Sequence, residues 1–321
     1  MLRFTIFVLA LIVGPAVVAD EPPPVQFGAL VRGFAIPAQG RPDVLAAGTW
    51  RLRIDLDDVN EYASEAKGTE EILLDGEAAQ LSFNLRYGLV DRWEVGIFVP
   101  FLVQSGGILD SIIQDWHRFW GLPNGGRQYA PNNRYLYEYV TDGMVALDVR
   151  RSSASFGDTQ LMSGYQVIDH LAARAMLKLP TGSASDLSGN GTAGGAVWLD
   201  GGLPLHGTFR WLMLYASIGY SFNGSGDILP RQQNKVLPFG GAGFRIGFSD
   251  RWEGRLQIYC NAPAYKDGDL TPLSHIAAPL TATASYKVGP KTTMSIGFQE
   301  KAIFLASPDF GVHVGLAFDS R

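Results

Sequence analysis

From residue 79 to residue 101 the chain alternates strictly between two kinds of side chain. Over 79–89 one face carries Leu81, Phe83, Leu85, Tyr87 and Leu89, and the other Gln80, Ser82, Asn84 and Arg86. Over 93–101 one face is Trp93, Val95, Ile97, Val99 and Phe101. The pattern returns over 310–318, where Phe310, Val312, Val314, Leu316 and Phe318 oppose Gly311, His313 and Gly315. A period of two is the mark of extended strands, whose side chains point alternately to either side. One wholly apolar face means that the sheet meets apolar material there. Charges and small residues on the other face mean a polar interior. That is the reverse of a soluble barrel and the arrangement of a barrel standing in a membrane.

A repeat organises these strands. Arg86-Tyr-Gly-Leu-Val-Asp-Arg-Trp-Glu94 and Arg245-Ile-Gly-Phe-Ser-Asp-Arg-Trp-Glu253 are nearly the same segment, each with alternating residues on both sides. Weaker versions at Tyr165–Leu171, Leu203–Phe209 and Tyr286–Thr292 place turns near residues 91, 169, 207, 250 and 290. A β-propeller blade has a similar length, but needs four short strands per repeat. Here each repeat holds two strands of the length that crosses a membrane at a tilt, about 9–11 residues. Twelve strands are predicted, at 49–59, 79–90, 92–102, 156–168, 170–180, 194–206, 208–222, 236–249, 251–262, 278–289, 291–302 and 310–318. Five short turns alternate with six longer loops, so both termini fall on the short-turn side. Tyr135–Val140 and Met144–Arg150 form a further hairpin that could extend the wall or stand above it, and ten or fourteen strands are the alternatives. The fold class is an all-β, antiparallel up-and-down transmembrane barrel with one amphipathic helix in a long external loop.

The start of the chain is separate. Arg3, the apolar run Phe4–Val13, the break at Gly14-Pro15 and the small residues Val17-Val18-Ala19 read as a secretory signal peptide cut after Ala19. Residues 20–48, with Pro22-Pro-Pro24 and Pro37, are either a periplasmic tether or a segment entering the lumen. The barrel then occupies 49–321, interrupted by the insertion 103–155. Only 18% of residues are charged, with 26 basic against 31 acidic, which argues against a nucleic-acid partner. A single cysteine, Cys260, excludes an internal disulfide and a cysteine-rich metal site. No cofactor motif is present, and neither a cofactor nor a metal is expected. The expected partners are outer-membrane lipid and a small-molecule solute, and the barrel is expected to be a monomer in the outer membrane.

The insertion carries the most distinctive stretch. Ile108, Leu109, Ile112, Ile113, Trp116, Phe119 and Trp120 fall at helical spacing, with Asp110, Ser111, Gln114, Asp115 and Arg118 mostly between them. A helix is predicted from after Gly106-Gly107 to Gly121 and Pro123. It could lie at the outer-leaflet interface with its aromatics in lipid. It could equally fold into the lumen or over the mouth. Asp110, Asp115 and His117, with Ser111, read as a solvated polar face. Arg127 and Arg134 follow and are expected to bring positive charge to the mouth.

Four stretches carry a family resemblance. Gly106-Gly-Ile-Leu-Asp110 is followed by Trp116-His117, Trp120-Gly-Leu-Pro-Asn-Gly-Gly-Arg127, and these resemble an uncharacterised bacterial family catalogued as domain of unknown function 3187. So do Gly48-Thr-Trp-Arg-Leu-Arg-Ile-Asp-Leu56 and Leu177-Lys-Leu-Pro-Thr-Gly182. The resemblance spans about residues 45–318. It implies an outer-membrane location and no assigned reaction. The last motif is also similar to outer-membrane channels for hydrophobic or aromatic compounds. Membrane barrels usually finish on an aromatic residue, whereas here Asp319-Ser320-Arg321 follow Phe318.

By strand parity the lumen face carries Arg51, Arg53, Asp55, Asp57, Arg86, Glu94, Asp158, Arg174, Lys178, Arg245, Glu253 and Arg255. Such charges either pair across the lumen and fill it, or line a water path and set its selectivity. The basic excess predicts a mild anion preference. The leading expectation is a passive channel or transporter-like conduit for small molecules. One alternative is a lipid-active barrel enzyme centred on His117 or on the Ser274-His275 pair, since such an enzyme needs a nucleophile, a base and an orienting group together. The other is a plugged barrel with a structural or surface-contact role. His313 is expected to face the lumen alone, and Asp55 and Asp57 to pair with Arg51 and Arg53.

Overall fold

The computed structural model describes residues 21–22, 24–121, 126–301 and 306–320. The signal peptide read at 1–19 lies outside the described residues. One antiparallel sheet holds β1 (Trp50–Lys67), β2 (Glu70–Val90), β3 (Trp93–Ser105), β4 (Leu136–Thr141), β5 (Met144–Val149), β6 (Ser153–Phe156), β7 (Thr159–Ile168) and β8 (Leu171–Leu179). It continues through β9 (Gly194–Pro204), β10 (Leu212–Asn223), β11 (Val236–Gly247), β12 (Trp252–Asn261), β13 (Leu280–Gly289), β14 (Thr292–Glu300) and β15 (Phe310–Asp319). The ring closes where β1 pairs with β15, from Arg51↔Asp319 to Asn60↔Phe310. Fifteen segments make twelve wall strands. β6 and β7 are two pieces of one strand, both paired to β3, and the β4–β5 hairpin adds to the rim above the ring on an extension of β2.

The alternation of the sequence is the alternation of the wall. In β10 Leu214, Ile218, Tyr220 and Phe222 are exposed on the outside, while Met213, Tyr215, Ser217 and Ser221 are buried within. Aromatic side chains gather at the short-turn end. Trp50 opposes Tyr87, Trp252 packs at a tilt on Tyr286 with ring centroids 4.7 Å apart, and the Arg92 guanidinium lies 5.5 Å above the Tyr165 ring. This is the belt expected where hydrocarbon meets headgroups.

Two boundaries differ from the sequence reading. The stretch 60–78 is not a loop. β1 and β2 run on past the apolar band to a two-residue turn at Gly68-Thr69, paired throughout up to Lys67↔Glu70. Its many charges (Glu61, Glu65, Lys67, Glu70, Glu71) suit a ribbon in which neither face meets lipid. The connection from β9 to β10 is also longer than a tight turn, with a single helical turn at Gly207–Phe209.

The N-terminal segment fills the barrel. It starts at the short-turn end, where Glu21 pairs with Arg86, and climbs. Gln26 exchanges two hydrogen bonds with the Gln299 side chain, at 3.0 and 2.8 Å. The Glu61 carboxylate accepts the Ala29 N–H at 2.9 Å as the short helix α1 (Ala29–Arg32) begins. The chain then turns back. Ala35 N–H donates to Asn223 Oδ1 at 2.7 Å, the Tyr259 hydroxyl to the Pro37 carbonyl at 2.6 Å, and Gly40 N–H to Asp200 Oδ1 at 3.3 Å. At the bottom Asp43 meets His170 at 3.0 Å, and Gly48 N–H bonds to the Gly88 carbonyl at 2.8 Å. Gly88 has to be glycine, because a Cβ there would stand 2.1 Å from the Ala46 carbonyl oxygen.

Candidate functional site

The lumen has two tiers. The upper, at the long-loop end, is apolar. Leu30, Val31, Phe34 and Ile36 of the N-terminal segment pack with Leu187, Leu229, Tyr265 and Leu273 from three external loops, and with Tyr137 and Tyr139 of β4. Tyr265 donates from its hydroxyl to the Leu30 carbonyl at 2.7 Å, and its ring meets Phe34 edge-on at 5.5 Å. Burial holds the Tyr137 hydroxyl far above its ordinary pKa and pushes Tyr135 up to about 12. Both therefore stay neutral within this cap.

The lower tier is a ladder of charges, each side chain carried inward by strand parity. Glu94 of β3 sits between Arg86 of β2 and Arg174 of β8, bonded to both. Arg174 also reaches Asp200 at 2.8 Å, and Arg86 also holds Glu21. Around the wall Arg53 pairs with Asp55 at 2.8 Å, Arg51 with Asp319 at 2.9 Å, and Lys178 with Asp158. Glu253 takes Arg255 at 2.9 Å and Arg245 at 3.6 Å. Asp57 accepts from His313 Nδ1 at 2.8 Å, while the other ring nitrogen lies 3.0 Å from Ser295 Oγ.

All twelve charged residues assigned to the lumen by parity are buried there; eleven have an oppositely charged partner, and Asp57 pairs with the His313 imidazole. Three details differ from the sequence reading. His313 is not alone, since it joins Asp57. Arg51 reaches across the barrel seam to Asp319 and not to its neighbours on β1. The basic excess also disappears: the buried Asp200 and Glu21 raise five acidic residues to seven, matching the seven basic ones. Asp200 lies on the inward face of β9 and parity would have found it. Glu21 belongs to an aperiodic segment, and no sequence signal marked it.

The external candidates lie elsewhere. The helix α2 (Leu109–Trp120) rests against the outside of the wall and does not enter the lumen. Trp116 turns inward onto Phe298 of β14 and Phe310 of β15, with centroids at 5.9 and 6.1 Å. Ile108, Ile112, Phe119 and Trp120 face away, exposed. Gly121 ends the helix in a left-handed conformation, φ +70°. The polar face is not wholly solvated. Asp115 is exposed and paired with Arg118, but Asp110 is fully buried and accepts from Asn60, Arg127 and the Asn133 N–H. His117 is buried too, 3.5 Å from Glu300. Arg127 does not reach the mouth. It is buried between Asp75 and Asp110, 5.2 Å over the Tyr62 ring, and Arg134 binds Asp75 at 2.6 Å. Ser274 and His275 lie 3.2 Å apart, with the serine hydroxyl also donating to the Leu270 carbonyl. Among the described residues no group of three or more His, Cys, Asp or Glu is placed to hold a metal ion.

Between the N-terminal segment and β2, β3, β7 and β8 a cavity of about 120 Å³ remains. Its lower wall is the Arg86–Glu94–Arg174 ladder, and its upper wall is Phe27, Leu102 and Met162. The chain matches, over residues 25–319, the family described as protein of unknown function, DUF3187. It belongs to that family. Among solved structures this DUF3187 chain is similar to the COG4313 outer membrane channel from Pseudomonas putida F1, with TM-score 0.58 and 12% identity over 88% of this chain and 100% of the channel. The NanC porin matches with TM-score 0.45 and 10% identity over 83% and 98% of the two chains. The toluene transporter TbuX of Ralstonia pickettii matches with TM-score 0.41 and 12% identity over 92% and 98%. The first of these likenesses shows the fold, a twelve-stranded barrel like those of outer-membrane channels. A comparison with curated proteins gives no match.

Proposed function

We propose that this DUF3187 barrel resides in the outer membrane and is a conduit for small molecules, held closed by its own N-terminal segment. The observation that carries this reading is the path of residues 21–48. The segment enters the lumen beside Arg86 and leaves it beside Gly88, both at the short-turn end. A loop inserted from one side can withdraw toward the periplasm without any chain end threading the barrel. Most of its polar contacts along the way are hydrogen bonds to wall side chains, each worth about 0.5–1.5 kcal/mol net, and what holds it most firmly is the apolar packing of Leu30, Val31, Phe34 and Ile36 in the cap. The charged ladder keeps its own pairs when the segment leaves, because only Glu21 belongs to the segment.

The test is conductance in planar bilayers. The intact chain should show little or brief current. A chain lacking residues 21–40 should show steady open steps, provided that it still runs faster on gels when unheated, as a folded barrel does. A reversible version avoids the deletion. An ideal Cβ on Gly194 lies 2.9 Å from the Ala35 Cβ. The pair A35C and G194C, with C260S, should stay closed when oxidised and recover openings on reduction. Absence of current from every variant would remove the conduit. It would favour the second reading, a permanently plugged barrel, which the complete pairing of the twelve lumen charges supports.

A further inference from the structure

The helix α2 lies on the outside of the wall with one apolar flank uncovered, and two contacts fix which way that flank points. At about 100° per residue the helix has three flanks. Leu109, Ile113 and His117 face the wall and are buried. Ser111, Asp115 and Arg118 form an exposed polar flank, tied by the Asp115–Arg118 pair at 2.8 Å. Ile108, Ile112 and Phe119 form an exposed apolar flank on the other side of the wall-facing residues, with Phe119 79% exposed. Trp116 lies between that apolar flank and the wall, and packs on Phe298. His117, at the opposite edge of the wall-facing side, meets Glu300. Phe298 and Glu300 follow one another on the outward face of β14, and Glu300 is the nearer to the long loops. The apolar flank is therefore turned down the barrel, toward the exposed Ile296 and Val312, and the polar flank is turned up. Height agrees. From Phe318, paired with Leu52 just above the aromatic belt, to Phe310 under Trp116, β15 rises about 27 Å along its length and about 20 Å at a membrane-strand tilt. The apolar band of an outer-membrane barrel is about 25 Å tall. The flank thus lies at the top of that band, where an amphipathic helix buries its apolar side about 5–10 Å deep.

We propose that α2 is an interfacial helix of the outer leaflet, with Ile108, Ile112 and Phe119 among lipid acyl chains and Ser111, Asp115 and Arg118 at the headgroups. This rests on the membrane location stated above and not on the conduit. Lipid is the occupant because the surface is continuous with the wall that lipid already covers. Trp116 packs on both Phe298 and Phe310, and Phe298 is itself exposed beside it. Trp120 extends the same surface, its ring meeting Trp116 and Phe119 edge-on at 5.7 and 5.0 Å. Indole rings favour that boundary, apolar body inward and N–H wet. A protein partner seated on this flank would also have to displace lipid from the strands below it. The placement gives the insertion a purpose on the membrane side. Glu77 accepts the first N–H groups of α2, and Asp110 is buried behind it. Where the outward faces of β1 and β2 turn from apolar to charged, α2 covers the charge and offers lipid an apolar surface in its place.

The test places single spin labels on the full chain, with C260S, in phosphatidylcholine liposomes. Collision rates are read by EPR with oxygen, which concentrates in hydrocarbon, and with a nickel chelate, which stays in water. I112C and F119C label the apolar flank, S111C the polar flank, I296C the wall and M144C the β4–β5 hairpin. The oxygen-to-nickel ratio at 112 and 119 should approach that at 296 and exceed those at 111 and 144 by roughly tenfold. Folded variants keep the faster unheated gel mobility, and either label on the apolar flank suffices. A low ratio at 112 and 119 with a high one at 296 would put the helix in water and overturn the inference, while leaving the barrel in its membrane. Shielding of 112 and 119 from both reagents would mean that a second copy or another part of the chain covers the flank, and would overturn it as well. A low ratio at 296 would remove the membrane location itself, and the inference with it. Brominated lipid gives a reading without labels. Trp120→Phe should reduce the part of the fluorescence that bromine on the upper acyl carbons quenches, and an unchanged quenched part would overturn the placement.

Discussion

Two buried charge networks lie on opposite sides of one strand pair. Inside, Arg86 and Arg174 share Glu94, and Asp200 extends the chain. Outside, Arg127 bridges Asp75 and Asp110 beneath α2, and Glu77 accepts the Ile108 and Leu109 N–H groups at 3.0 and 2.8 Å. The first sits where alternation demands it. The second sits on the face of β2 that carries Leu81, Phe83 and Leu85 nearer the short turns, and that face would otherwise meet lipid. An uncovered carboxylate there is unfavourable in hydrocarbon. Beyond Leu81 the outward face becomes Glu77 and then Asp75, and α2 with its following loop covers them. Parity therefore tells which way a side chain points, and a charge on the wrong parity tells where the protein covers itself.

The two networks also differ in redundancy, and the largest expected effect tests this. Arg127 is the only cation of the described residues bonded to Asp110, and Asp75 keeps only the half-exposed Arg134 without it. Arg127→Met should destabilise the insertion by about 3–5 kcal/mol, the usual cost of orphaning a buried charge. Limited proteolysis should then cut between 106 and 135 while the barrel keeps its unheated gel mobility. Equal resistance in wild type and variant would show that the outer network holds nothing.

Glu94→Gln is the matching change inside, and its effect should be smaller. Arg86 keeps Glu21 and Arg174 keeps Asp200, so each cation retains a carboxylate. A loss of about 1.5–3 kcal/mol is expected, that of a hydrogen bond to a charged group. The urea midpoint of barrel unfolding reads it. A loss as large as that of Arg127→Met would erase the distinction between the networks.

Much of the wall was legible because its physics is periodic. Strand parity finds the inward charges, the turns repeat every forty residues or so, and α2 begins and ends at glycines. What was not legible is aperiodic or non-local. Nothing in 21–48 shows that Ala35 meets Asn223 or that Pro37 meets Tyr259, since those contacts depend on shape after the barrel closes. The β1–β2 ribbon looked like a loop because its charges suit water, and its apolar inward face is short, with Ile72 and Leu74 reaching the cap from among glutamates. Arg127 looked like a mouth residue because its partners, Asp75 and Asp110, lie far apart in sequence and meet only on the outer wall. The signal that could have placed it was there: acidic residues on the apolar parity of β2.

Glu77→Gln probes the outer network at the start of α2. The amide still accepts one N–H of the first turn of α2 but loses its charge at the positive end of the helix. About 0.5–1 kcal/mol should go, within the range of end effects at helix termini. Hydrogen exchange at residues 108–111 should quicken a few-fold, with no change on β7 to β13.

An effect of similar size concerns the closed state itself. Tyr265 donates to the Leu30 carbonyl within the apolar cap, and its ring packs edge-on to Phe34. Tyr265→Phe keeps the ring and removes one hydrogen bond, worth about 0.5–1.5 kcal/mol. If withdrawal of the segment is what opens the barrel, that loss falls on the closed state alone, because in the open state the hydroxyl is wet. The open fraction should then rise by about two- to tenfold, the same free energy expressed as a population. The charged ladder predicts the opposite for a change that keeps its charge: Arg245→Lys retains both the positive charge near Arg41 of the segment and the pairing with Glu253, and should leave the open fraction where it was. If both substitutions shift it equally, the cap does not hold the segment, and the two tiers of the lumen are not separate devices.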